Sequence, residues 1–310
     1  MVDRSDVCVL VPTLNEAATI GSVIEGLREA GYDRILVMDG GSEDRTRDIA
    51  ADHGAEVRVQ SGSGKGQAVI EAVEEIEARY VLMLDGDGTY RPTDADRVLE
   101  PVVNGDADHA IGNRFHDMEA GAMTRLNRFG NRMINRLFRF INRRDLNDIL
   151  SGYRAFSRES FQELDLNASG FGIEAEMTGS AIRHGHRIEE VPIVYQRRPS
   201  SSETKLHPVR DGAVILTTLY LIARMNNPLV FFGSIGLLSA AFGVGLGLYV
   251  GYRWYFASVS HEIMAVVSSF FIIFGFLLVM FGVLSDMIVR LHEEQRQRIE
   301  RLREAIQERE

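Results

Sequence analysis

Two aspartates two residues apart, Asp85 and Asp87 in VLMLDGDGTY (81–90), are the residues best placed to do chemistry. The apolar run before them reads as a buried strand. Residues i and i+2 of a strand point the same way, so both carboxylates would reach one spot at its C-terminal end. Open α/β sheets bind their ligands at that end. Gly86 and Gly88 let the backbone turn and let a ligand come close. Paired carboxylates with open positions suit Mg2+ or Mn2+, which keep water and substrate phosphates as their other ligands. The chemistry expected is a metal-dependent reaction of a diphosphate. Taken alone, the pair fits a polar strand exit equally well. A calcium loop is excluded, because it needs Gly at loop position 6 and Glu at 12, where Tyr90 and Asp96 stand.

The elements that must position this pair are legible upstream. VCVLVPT (7–13), RILVMD (34–39), AEVRVQ (55–60) and YVLMLD (80–85) read as strands. Helices are expected over 17–29, 44–53 and 66–78, the first two closed by Gly31 and Gly54. This alternation predicts an α/β fold with a doubly wound, mostly parallel sheet. Its strand ends carry Thr13, Asn15 and Glu16, then Asp39 and Ser42, then Lys65, then Asp85 and Asp87. Such ends lie side by side along one edge. No G-x-G-x-x-G follows a strand, and SGSGKGQ (61–67) lacks P-loop spacing. Lys65 there could still neutralise a phosphate; a flexible loop is the plain alternative.

Between Glu119 and Asp145 there is no acidic residue. Arginines at 125, 128, 132, 136, 139 and 143 fall at helical spacing, with Leu126, Phe129, Met133, Ile134, Leu137, Phe138 and Ile141 around them. A basic amphipathic helix over 123–144 suits an anionic membrane surface, though a solvated arginine face accounts for it more simply. Beyond it lie DILSGYRAFSRE (148–159), a helix over 173–184 bearing Glu174 and Glu176, a strand over 187–198 and a polar loop over 199–212.

Residues 229–250 and 263–285 carry no charge, and each is long enough as a helix to cross a hydrocarbon core of ~30 Å. They predict a two-helix transmembrane hairpin. Tyr252, Trp254 and Tyr255 in the connector form an interfacial belt. Arg253 is the connector's sole basic residue, whereas Arg210 and Arg224 precede the hairpin and five arginines follow it, so the large N-terminal part is expected in the cytoplasm. No signal peptide is expected ahead of the first strand. The divisions expected are a catalytic domain (1–210), an interfacial amphipathic helix (211–228), the hairpin (229–290) and a helical tail (291–310). That tail offers a pairing surface for a second copy; a solvated helix is an equal reading. The net charge of −10 and the hairpin speak against nucleic acid as a partner. Cys8 is the only cysteine, so no intrachain disulfide forms. All but two of the 34 basic residues are arginine, as a salt-adapted, GC-rich source would produce.

PTLNEAATIG (12–21), VMDGGSEDRT (37–46), LDGDGTY (84–90), GNR (112–114), DILSGYRAFSR (148–158) and the loop ending TKL (204–206) resemble, in order, the motifs of the family 2 glycosyltransferases with the GT-A fold. The chain is most similar to the polyprenyl-phosphate hexose synthases, and within them to the archaeal dolichyl-phosphate hexosyltransferases that begin S-layer N-glycosylation. The resemblance implies a donor pocket of Pro12, Thr13, Asn15, Glu16, Asp39, Lys65, Asp85, Gly86 and Asp87. It implies Asp85, Asp87 and Thr89 at the metal, Thr89 standing where some relatives carry Gln. It implies Asp87, Arg114 and Asp148 at the reaction centre, with Arg114 facing the acceptor phosphate. Arg125, Arg128, Arg132, Arg198 and Lys205 join it on the acceptor side. Gly40 departs from the family, which often has a second Asp there, so Asp39 must act alone.

The activity implied is inverting transfer of a hexose from a nucleotide sugar to dolichyl or another polyprenyl phosphate. UDP-glucose is favoured over GDP-mannose by resemblance alone. A processive polysaccharide synthase would carry Q-x-x-R-W and more spans, and neither is present. A nucleotidyltransferase would not need the hairpin. A membrane-anchored nucleotide-sugar scaffold without catalysis would not need both carboxylates, Asp148 and Arg114.

Overall fold

Seven strands and ten α-helices, with two short 3-10 turns, are described in the computed structural model, which covers residues 4–166, 172–199 and 208–307. The strands are β1 (Val7–Thr13), β2 (Ile35–Asp39), β3 (Glu56–Val59), β4 (Tyr80–Met83), β5 (His109–Met118), β6 (Arg154–Ser157) and β7 (Ile188–Tyr195). The helices are α1 (Ile20–Glu29), α2 (Thr46–Asp52), α3 (Lys65–Glu75), α4 (Ala95–Val103), α5 (Arg125–Asn142), α6 (Arg158–Gln162), α7 (Ile173–Arg183), α8 (Pro208–Asn226), α9 (Pro228–Ala257) and α10 (Glu262–Gln307).

β1 is buried along its whole length, as a central strand of a doubly wound sheet must be. Val7, Val9 and Val11 pack with Ile20, Ile24 and Leu27 of α1 and Val98 and Leu99 of α4. Cys8 and Leu10 face the other layer, with Val69 and Val73 of α3, Phe156 and Met177 of α7. The Cys8 thiol is pushed up to about 11 by burial, which makes it inert. The sheet order is β3-β2-β1-β4-β6-β5-β7. The first four strands are parallel, β5 pairs parallel with β7, and β6 runs antiparallel between β4 and β5.

The expected GT-A architecture is present, with differences that matter to the site. β4 ends at Met83, two residues before Asp85. The carboxylates therefore sit on the turn after the strand, and the strand's two-residue period does not align them. Lys65 opens α3 and is not in the loop before it. β5, β6 and α4 have no counterpart in the sequence reading. β6 spans only four residues and pairs on both sides, so burial of its neighbours decides it.

The chain divides by its packing into Met1–Leu219 and Tyr220–Glu310, a division inside α8. The sequence boundary at 210/211 falls near the start of that helix. Within the second unit, α9 and α10 pack as an antiparallel hairpin. Pro228–Ala257 and Glu262–Leu291 have mean hydropathies of 2.0 and 2.7, yet only 11% of each apolar window is buried. A core helix of a soluble domain would be mostly buried; these expose Leu237, Phe242, Leu248, Phe270 and Phe276. The helices cross at Gly236 and Gly275, where a Cβ on either would collide with the other's carbonyl oxygen. The second apolar helix runs on without a break into the residues expected as a tail, 46 residues in all.

Candidate active site

The C-terminal edge of the parallel strands carries a shell of polar groups that builds its own loops. Both oxygens of Asp39, fully buried at the end of β2, serve the turn after it. Oδ1 accepts from Gly41 N at 3.0 Å and Ser42 N at 2.7 Å, and Oδ2 accepts from Ser42 Oγ. Ser42 Oγ in turn accepts from Asn15 N at 2.8 Å. Asn15, held at φ 49°, accepts from Glu43 N through Oδ1 at 2.7 Å. Asp39 thus shapes the pocket floor, joining the loops after β1 and β2. Glu16 is fixed by its own N–H on Thr46 Oγ1 at 2.8 Å. Thr13 Oγ1, after Pro12 in β1, is buried and has no hydrogen-bond partner among the described residues. An orphaned hydroxyl at a strand end is a site a polar ligand would satisfy.

Asp85 and Asp87 each have their own cation. Lys65 Nζ lies 2.5 Å from Asp85 Oδ1 and 2.5 Å from Glu174 Oε1 of α7. Burial pulls the Lys65 ammonium down, but the charges of Asp85 and Glu174 outweigh it and hold it well above its usual range. Burial pushes Asp85 up, with Asp87 and Glu174 adding to the rise against Lys65. Arg198 Nη2 lies 2.6 Å from Asp87 Oδ2 and 3.4 Å from Glu16 Oε1. Burial lowers the Arg198 pKa, and Asp87 and Glu16 more than restore it. Thr89 donates its N–H and Oγ1 to Asp87 Oδ1, at 3.0 and 2.6 Å. Expected at the metal, Thr89 holds the carboxylate in place. The Gly86 carbonyl accepts from Thr19 Oγ1 at 2.8 Å, which ties the turn to the start of α1.

The Arg114–Asp148 pair is the most buried ion pair of the site. Arg114, on β5, donates Nε to Asp148 Oδ2 at 2.8 Å and Nη2 to Oδ1 at 2.7 Å, and its backbone N–H reaches Oδ2 at 2.9 Å. Burial lowers its pKa, but Asp148 holds it well above the ordinary value. Tyr195 lies under the guanidinium, 5.5 Å from ring centroid to Cζ. Nη1 has no hydrogen-bond partner among the described residues. Glu190 of β7 fixes the loop by accepting from the backbone N–H of Asn147 and Asp148.

The motif SGYR (151–154) closes the loop onto the carboxylates. Arg154 is buried, and none of its hydrogen-bond partners among the described residues is a carboxylate. It donates to Ser151 O at 2.8 Å, Ile149 O at 2.6 Å and Thr178 Oγ1 at 2.9 Å. Burial lowers its pKa to about 10, against the pull of Glu174 and Asp148. Gly152 N donates to Tyr90 Oη at 2.9 Å, and a Cβ on Gly152 would stand 2.5 Å from Asp85 Oδ2 and 3.0 Å from Lys65 Nζ. Glu174, Arg154, Gly152, Tyr90 and Tyr195 have no assigned role in the sequence reading. Glu174, a carboxylate in the largely buried helix α7, was the one with a visible signal.

α5 connects this centre to a mixed surface. Asn131 Oδ1 accepts from Arg114 Nη2 at 3.3 Å. Ile134, Phe138 and Ile141 are buried, whereas Leu126, Phe129, Met133 and Phe140 are exposed together with Arg125, Arg132 and Arg136. The arginines therefore share their face with apolar side chains. Arg128 reaches Met118 Sδ at 3.0 Å, and Arg132 covers the Phe115 ring at 5.9 Å. A cleft of about 540 Å³ lined by Phe115, Phe129, Arg132, Met133, Arg136 and Arg139 opens beside β5. A second cleft, of about 510 Å³, lies at the opposite edge of the sheet around Arg79, Arg158 and Arg187, away from every predicted site residue. Lys205 lies outside the described residues.

The donor set fits a hard divalent ion: Asp87 offers a hard carboxylate at the pocket mouth, and Asp85 lies next to it. No group of three or more His, Cys, Asp or Glu side chains that could hold a metal occurs among the described residues. A metal here would take further ligands from the substrate.

Known proteins resemble the chain in sequence and in fold. The model of the glycosyl transferase family 2 matches residues 8–165. Glycosyltransferase AglJ of Haloferax volcanii is 58% identical over 297 residues, 96% of this chain and 98% of that one. A dolichyl-phosphate hexose transferase of the same organism is 35% identical over 212 residues, 68% of this chain and 90% of that one. The glucosyl-3-phosphoglycerate synthase of Mycobacterium tuberculosis, solved with Mn2+ and UDP-glucose, superposes with a TM-score of 0.59 at 23% identity, over 70% of this chain and 78% of that one. That likeness carries the fold.

Proposed function

The chain belongs to glycosyl transferase family 2, and from that premise we propose that it transfers a hexose, glucose from UDP-glucose, to dolichyl or another polyprenyl phosphate with inversion. The observation that carries the reading is Arg114. It is a buried cation with one nitrogen unpartnered among the described residues, and Asn131 ties it to a helix whose exposed face mixes arginine with large apolar side chains. That pairing suits an acceptor with an anionic head and an apolar tail.

The acceptor's phosphate oxygen is already an anion, so no strong base is required. Asp148, with both oxygens on Arg114, acts as the anchor of that arginine. Arg114 then offsets the repulsion between acceptor phosphate and donor diphosphate and aligns the attack. Lys65 offsets part of the charge of Asp85 and Glu174, which lowers the repulsion that the donor's diphosphate meets on binding. Mg2+ or Mn2+, held by Asp87 with Asp85 and Thr89 beside it, would stabilise the charge that develops on the leaving group. Single displacement gives a β-linked lipid phosphate hexose from an α-linked donor.

The two exposed apolar helices support a multi-pass membrane protein, and the arginine bias supports a cytoplasmic catalytic domain. Full-length protein in detergent, given labelled UDP-glucose, Mn2+ and dolichyl phosphate, is expected to form a lipid-linked hexose and to lose this activity in excess chelator. GDP-mannose is the competing donor in the same assay. No product from either sugar, or full activity in chelator, overturns the reading.

A further inference from the structure

Lys65 and Arg198 each neutralise one carboxylate of the D-x-D pair, but they are not held alike. Lys65 projects from the first residue of α3, bridges two carboxylates and has a side chain 14% exposed. Arg198 stands beyond the end of β7, and a single nitrogen, Nη2, makes its bonds to Asp87 and Glu16; its side chain is 22% exposed. Both oxygens of Asp87 are engaged, Oδ1 by Thr89 and Oδ2 by Arg198. A divalent cation on Oδ2 would meet the guanidinium at the same oxygen, and two like charges at that distance repel.

We infer that Arg198 is the resident counter-cation of Asp87 in the donor-free enzyme, and that the metal and the donor's diphosphate replace it there. The inference rests on the reading of Asp87 as a metal ligand. Arg198 is thereby a donor-side residue, where the family resemblance places it with the acceptor. Once off Asp87, its planar fork could take a diphosphate oxygen of the donor. Lys65 stays, because leaving would strand Glu174, whose side chain is 7% exposed and lies 2.5 Å from the ammonium. The exchange couples metal binding to donor binding. Without metal the guanidinium offsets part of the charge of Asp87 and Glu16, and metal alone binds weakly because it must displace that guanidinium.

The test is Mn2+ binding, read from the electron paramagnetic resonance of free Mn2+, to full-length protein in detergent without and with UDP. R198Q is expected to bind Mn2+ alone about tenfold tighter than wild type, the equivalent of one charge-assisted bond no longer broken. UDP should then tighten Mn2+ binding less in R198Q than in wild type. R198K keeps a cation and should stay near wild type, which separates charge from a folding defect. D87N should lose the site. If D87N binds Mn2+ as wild type does, the metal assignment falls. If D87N loses it while R198Q binds no tighter, or R198K tightens equally, the exchange alone is overturned.

Discussion

Arg114–Asp148 and Arg198–Asp87 are the same two chemical groups in two settings. The first pair has side chains 9% and 0% exposed and three bonds, and β5 and the loop held by Glu190 supply its partners. The second has side chains 22% and 15% exposed and one bond, from an arginine beyond the last strand. Burying a pair makes loss of one partner costly, because the other charge cannot find water. A partly exposed pair, which water can reach, gives up a partner at lower cost. Under the proposed function, that difference would separate a fixed scaffold for the acceptor from a changeable surface for the donor.

The comparison breaks most visibly at the carboxylates. Asp148→Ala should destabilise the protein by about 3–5 kcal/mol, the range for stranding a buried charge, and abolish transfer. Asp87→Asn should change stability by less than about 1 kcal/mol while transfer falls by at least about 100-fold, as for loss of an electrostatic stabiliser. Thermal unfolding and product formation on the same samples check both. Equal destabilisation by the two changes would erase the distinction. A smaller effect is expected at Gly152, the point where the two pairs' loops touch. Gly152→Ala forces Asp85 and Lys65 apart, for a loss of about 1–3 kcal/mol as in an overpacked core. Transfer should suffer through KM for the donor, with the acceptor KM unchanged.

Acid sharpens the comparison least but separates both pairs from a third buried group. His109, at the start of β5, stacks between Phe156 and His186, and burial lowers its pKa from 6.5 to about 3. The unfolded chain binds a proton there below pH 6.5 and the folded chain does not. Stability from this group is therefore complete above pH 6.5 and is lost progressively as pH falls toward 3, by up to ~1.4 kcal/mol per unit. His109→Gln should flatten the melting temperature against pH across that window.

The motif residues in the sequence lead to the right edge of the sheet because parallel strands bring their C-terminal ends together whatever their order. Thr13, Asp39, Lys65, Asp85 and Asp87 meet there for that reason alone. Their roles were less legible. Asp39 looks like a ligand-facing acid, yet it is consumed by the turn it builds. Arg198 lies 111 residues from Asp87 in the chain, and no local pattern announces the pair. β6 escaped because four residues carry too little periodicity to show a strand whose partners lie on both sides.

The sequence by itself determined the fold class, the polar sheet edge and the two long apolar helices, because these depend on periodicity and on runs of one chemical kind. Tertiary structure alone decided which cation sits on which carboxylate. A strand's two-residue period points Asp85 and Asp87 the same way, but β4 ends at Met83 and the turn sends one to Lys65 and the other to Arg198. Ion pairing depends on distance in space, and distance in space is set by packing among elements far apart in the chain.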